Sequence, residues 1–153
     1  MAVTRYLIQA ALTAAFLFYP LNVMAGELGY LSQITAKPLI KTTTTIVGEV
    51  IHYPGGGAAE ITAVTVNVPP GLDTGWHKHG APLFAYVLKG ELTVDYGDKG
   101  KRVYKPGDSF MEAMDHWHNG ANEGTEPTEI VALYMGGSGA KLVIPKDVPT
   151  GSK

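Results

Sequence analysis

The clearest pattern along the chain is alternation with a period of two. From Glu60 to Val68, Ile61 and Ala63 sit against Thr62, then Val64, Val66 and Val68 against Thr65 and Asn67. A strand with one buried face requires that pattern. Ile46 to Tyr53 reads as a strand closed by Pro54-Gly55-Gly56-Gly57, and Pro69-Pro70-Gly71 turns the chain again. Two further strands, Phe84 to Leu88 and Glu91 to Tyr96, hinge at Lys89-Gly90, and Gly97-Asp98-Lys99-Gly100 has the composition of a hairpin turn. Arg102 to Lys105 pairs back, Pro106-Gly107-Asp108 turns, and Ser109 to Glu112 begins a strand leading to His118. Ile130 to Met135 is a last core strand. Helical periodicity is hard to find after residue 30. The pattern predicts an all-β domain, a small antiparallel β-barrel or jelly roll, because closure removes exposed strand edges.

The ends differ from this core. Arg5 precedes an apolar run from Tyr6 to Tyr19 that Pro20 ends, and Val23-Met24-Ala25 places small residues before a cleavage point. Residues 1–25 therefore read as a secretory signal peptide, with the mature chain starting at Gly26. The alternative is an uncleaved anchor, but the run is short against the ~20 residues of a spanning helix. Export ends in the periplasm or outside the cell, without stable membrane insertion after cleavage. Residues 26–45 form an N-terminal arm whose threonine run, Lys41 to Thr45, predicts an edge strand. The barrel is expected over 46–136 and a tail over 137–153, set off by Gly136-Gly137-Ser138-Gly139.

Composition narrows the function. The 153 residues fit one domain, and a net charge of −2 with 17% charged residues offers no nucleic-acid surface. There is no cysteine, so any metal must be held by nitrogen and oxygen. His77 and His79, one residue apart on a strand, point to the same face. His118, from a neighbouring strand, makes a third imidazole for one metal site. His116 is a weaker fourth candidate, because it falls in an expected turn, and His52 reads as a rim residue. Glu112, at the end of an apolar strand segment, is the candidate catalytic acid/base if it points inward; outward, it is a solvent-facing strand residue. Trp76, Trp117, Phe84, Tyr86 and Tyr134 either line a pocket or pack the core and rim.

These residues resemble the cupin family. Its first motif runs Gly, five residues, His-x-His, three or four residues, Glu, six residues, Gly, and Gly71, His77, His79 and Gly90 fall in register. Its second motif runs Pro-x-Gly, two residues, His, three residues, Asn, which His118 and Asn122 match, with Gly107-Asp108 upstream. Two positions depart: Leu83 stands where the glutamate belongs, and Ala113-Met114-Asp115 replaces Pro-x-Gly. The resemblance implies a double-stranded β-helix with one divalent transition metal (Fe, Zn, Cu, Ni or Mn) on His77, His79 and His118. It also implies a small-molecule ligand or substrate and a homodimer, with the threonine-rich strand near residue 42 pairing across the interface. Asn122 and Asp108 are expected to do turn work. Members without the glutamate include three-histidine iron dioxygenases and proteins with no assigned metal. A dioxygenase-type metalloenzyme and a non-catalytic metal- or small-molecule-binding or sensor protein therefore both stand at this point.

Overall fold

The computed structural model describes residues 37–55 and 58–146. The expected signal peptide and the end of the tail lie outside them. Among the described residues there is no α-helix, and no helix long and apolar enough to cross a membrane. The elements are β1 (Ala59–Val68), β2 (His77–Lys78), β3 (Leu83–Lys89), β4 (Leu92–Asp95), β5 (Lys101–Tyr104), β6 (Ser109–Met111), β7 (Asn119–Ala121), β8 (Thr128–Gly137) and β9 (Ile144–Pro145), with a single 3-10 turn at Gly97–Lys99. Every ladder is antiparallel. One sheet has the order β1-β8-β3-β6, a second β5-β4-β7, and β2 pairs with β9. The fold is the all-β jelly roll that the alternation predicts.

The inward residues of the two sheets make the core. In β8 every second residue is buried, including Thr128, Ile130, Ala132 and Tyr134, and β3 matches it with Leu83, Ala85 and Val87. Leu92, Val94, Tyr96, Tyr104 and Phe110 complete the packing, with the Tyr104 and Phe110 rings stacked at 3.7 Å. The chain crosses between sheets at Gly90, which has φ +69° and lies so close to its neighbour that a Cβ would sit 2.7 Å from the Pro127 carbonyl oxygen. Only glycine meets both demands.

Two segments differ from expectation. Ile46 to Tyr53 is not a strand: Gly48 N–H donates to the Thr45 carbonyl at 3.0 Å, Gly48 has φ +91°, and a single bridge joins Thr44 to Val50. The reverse turn wins because Thr45 Oγ1 accepts from the Glu49 N–H and donates to its carboxylate, a local network that competes with a ladder. That bridge is the whole of the threonine-run pairing. Within the segment after Gly139, expected as a tail, Ile144–Pro145 pairs with β2 as β9. A two-residue pairing carries no periodicity by which to read it.

Candidate metal centre

β2 and the residue before β7 exchange both backbone hydrogen bonds, His77 N–H to His118 O at 2.9 Å and His118 N–H to His77 O at 3.0 Å. This isolated bridge sets two imidazoles side by side on the inner face. His79, two residues on, joins them from the same face. One nitrogen from each of the three rings lies within 4.8 Å of the others, and the ring centroids are 4.4–5.0 Å apart. The sequence-predicted trio is thus brought together. His116 is not part of it; its Nε2–H donates to the Tyr96 carbonyl at 2.7 Å. His52 is exposed and outside the site.

Each ring is turned by a backbone carbonyl. His77 Nδ1–H donates to Gly75 O at 2.8 Å, His79 Nδ1–H to Leu142 O at 2.8 Å, and His118 Nδ1–H to His116 O at 3.0 Å. A carbonyl only accepts, so all three Nδ1 atoms carry the proton and each neutral ring presents a lone pair at Nε2. His79 Nε2 and His118 Nε2 face each other at 3.3 Å with no proton between them. Two acceptors at that distance repel unless a cation lies between them. Burial depresses the basicity of all three rings, taking His79 down to about 3, so protonation does not supply that cation near neutral pH. The 3.3 Å between His79 Nε2 and His118 Nε2 suits two metal–nitrogen bonds of ~2.0–2.1 Å, and the His77 ring offers a third nitrogen within 4.8 Å of both. The donor set fits a transition metal.

The three rings open into a cavity of ≈ 70 Å³ lined by Leu83, Ala85, Leu92, Val94, Phe110, Ile130, Ala132 and Tyr134, with Thr74 and Glu112 as its other polar groups. Glu112 is inward: it is 5% exposed, with Oε2 3.9 Å from His118 Nε2 and Oε1 accepting from the Ala113 N–H at 2.8 Å. Desolvation raises its pKa to about 7, partly opposed by that N–H and by the Tyr96 hydroxyl. Leu83 faces the same space, so the position of the family glutamate is apolar here. Of the five aromatic candidates only Tyr134 lines the cavity. Phe84 and Tyr86 lie on the other face of β3, and Trp76 and Trp117 lie outside under lysine ammonium groups.

The turn between Glu112 and His118 shows what the sequence reading missed. Glu49 accepts from the Met114 N–H at 2.8 Å and the Asp115 N–H at 2.9 Å, while the Met114 carbonyl accepts from the His79 N–H at 2.9 Å. The Thr45–Glu49 turn thereby braces the segment that lacks Pro-x-Gly. Glu49 gives no local signal, since its partners are 65 and 66 residues away. Thr74 was also missed: its Oγ1 accepts from the Gly120 N–H at 3.0 Å and sits 3.4 Å from His77 Nδ1. Asn122 and Asp108 do the turn work expected of them. Asn122 Nδ2 donates to Val68 O and Glu126 O, and Asp108 Oδ2 accepts from the Lys105 N–H.

The family model described as "Cupin domain" matches residues 64–134, the stretch that carries all three histidines and Glu112. The barrel is a cupin domain. Glu49 and Leu142, which brace the cupin site, both lie outside the matched stretch. Among solved structures, the chain is similar to the DMSP lyase DddQ from Ruegeria pomeroyi DSS-3, with 24% identity over 60% of this chain and 45% of that one and a TM-score of 0.51. It is also similar to the oxalate decarboxylase–formate complex of Lactobacillus farciminis, with 20% identity over 56% of this chain and 26% of that one and a TM-score of 0.48. The chain spans less than half the length of either, and the first likeness is one of cupin fold. No curated protein matches it.

Proposed function

We propose that this cupin is an exported metalloprotein that holds one divalent transition metal through Nε2 of His77, His79 and His118, and that it oxygenates a small oxygenated organic substrate. The observation that carries the metal reading is the set of three Nδ1–H···O=C bonds, which leaves the three Nε2 lone pairs without a donor in a cluster whose ligand nitrogens, one per ring, lie within 4.8 Å of one another. Neutral imidazoles favour Fe, Zn, Cu or Ni over Mg or Ca. A bound ion supplies Lewis acidity and, as iron, electrons for dioxygen, with positions left open by three protein ligands.

The chain's own residues do the rest. Glu112, buried and with Oε2 3.9 Å from His118 Nε2, is placed to hold or release a proton beside the site. Leu83, Ala132 and Phe110 keep water out, and the ≈ 70 Å³ cavity limits the enclosed part of a substrate to a few heavy atoms. The non-catalytic reading rests on Leu83, which removes a fourth ligand, and on the small size of that cavity. Oxygen uptake by the Fe(II)-loaded protein separates the two readings, with small chelating enols and β-diketones as probes. The enzyme reading predicts uptake that falls ~100-fold or more in Glu112→Gln while the metal stays bound. Stoichiometric iron with no uptake on any probe would leave the binding protein.

Cleavage after Ala25 and a homodimer belong to the same proposal. β1 supports the dimer: it is an edge strand of ten residues with one charge, Glu60, and exposed Ile61 and Val64.

A further inference from the structure

After β8 the chain turns, with the Ala140 N–H on the Gly137 carbonyl, and runs along the outer side of β2. Four contacts hold this strap. Gly80 N–H donates to Lys141 O at 3.1 Å, and a Cβ on Gly80 would come within 2.5 Å of that oxygen, so only glycine admits the strap. Ile144 and Pro145 pair with Lys78 and His77. Lys146 N–H donates to Trp76 O at 2.8 Å. The Lys146 ammonium lies 5.6 Å from the Trp76 ring centroid and 5.7 Å from that of Trp117. Trp76 and Trp117 each precede a histidine of the trio, so the clasp grips the outer face of the strand pair that carries His77 and His118 inside. In the middle of the strap, Leu142 O accepts the Nδ1–H of His79.

We propose that residues 141–146 are a positioning strap for the metal centre: the Leu142 carbonyl fixes the tautomer and angle of His79, and the Lys146 clasp holds that carbonyl in place. The proposal rests on the three-histidine reading. A cation on Nε2 makes Nδ1–H a stronger donor, so metal binding tightens the strap. By linkage, loosening the strap weakens metal binding by the same factor.

The test uses the full mature chain, a chain ending at Ala140, Lys146→Met and Lys146→Arg. Each is followed by competitive Zn(II) titration and by imidazole ¹⁵N spectra. Truncation is expected to weaken Zn(II) binding ~10–100-fold and to scramble the His79 tautomer, leaving His77 and His118 as Nδ1–H. Lys146→Met is expected to weaken binding roughly 2–5-fold, the scale of an exposed cation–π contact, and to speed amide exchange at Gly80 and Lys146; Lys146→Arg should restore both. If the shortened chain does not fold, the Lys146 pair carries the test. Unchanged zinc affinity and an unchanged His79 tautomer would overturn the strap. Should the full chain bind no zinc, the titration is repeated with Fe(II), Cu, Ni and Mn; if none binds, the metal reading fails separately, and the His79 tautomer in the metal-free proteins still decides the strap.

Discussion

His79 shows how a residue's surroundings set its chemistry. Its pKa falls to about 3 because burial penalises the cation more than the Leu142 carbonyl favours it, and His77 and His118 are lowered for the same leading reason. The unfolded chain therefore binds more protons at these rings than the folded one below pH 6.5. Their contribution to stability is complete above that pH and is lost as pH falls below 6.5, for His79 down to about 3. Glu112 has the opposite sign: raised from 4.5 to about 7, it contributes fully below pH 4.5 and less as pH rises through 7. Three rings against one carboxyl give a net loss on acidification. The metal-free protein is predicted to melt at a lower temperature at pH 5 than at pH 7; an equal or higher midpoint at pH 5 would contradict the assignment of neutral, buried imidazoles. The trio itself was legible in the sequence, because period-two geometry and motif spacing act at the side-chain level. The carbonyls that orient it were not, since a backbone acceptor has no residue-type signature. Nor did spacing decide which way Glu112 points; the packing of β6 against β3 turns it inward.

Among elements, the segment around Glu49 is the part that sequence patterning misjudged. Apolar residues from Ile46 to Ile51 suggest a strand, but the Thr45–Glu49 network closes a turn and sends the carboxylate to the 114–115 amides. Glu49→Ala leaves both N–H groups without their partner and is predicted to cost roughly 2 kcal/mol, the range for hydrogen bonds to a charged group. Denaturant unfolding of the metal-free protein measures it, and a change under about 0.5 kcal/mol, the ordinary range of surface substitutions, would remove Glu49 as the stand-in for Pro-x-Gly. Gly90 was legible as a motif position, yet its reason is tertiary: Pro127 and Thr128 crowd the sheet crossing. Gly90→Ala is predicted to raise φ strain and clash together, lowering the thermal midpoint sharply, whereas a midpoint within a degree or two of wild type would show that the crossing relaxes.

At the scale of the whole molecule, β1, β3, β4, β5, β6 and β8 could be read from alternation and turn residues, because two packed sheets need one apolar face each. β9 could not, since its short pairing depends on Gly80, far earlier in the chain, which lets Lys141 and Ile144 approach. The jelly roll thus supplies the frame, while the Thr45–Glu49 turn and the strap, both outside the cupin match, brace the turn before His118 and the ring of His79. The central claim is that this frame holds one metal ion. Elemental analysis of the untagged chain from Gly26, beside a His77→Ala/His79→Ala variant, tests it most directly. Near one equivalent of a transition metal in the parent and none in the variant is the predicted result. No metal retained after offering Fe(II), Zn, Cu, Ni and Mn in turn would contradict it.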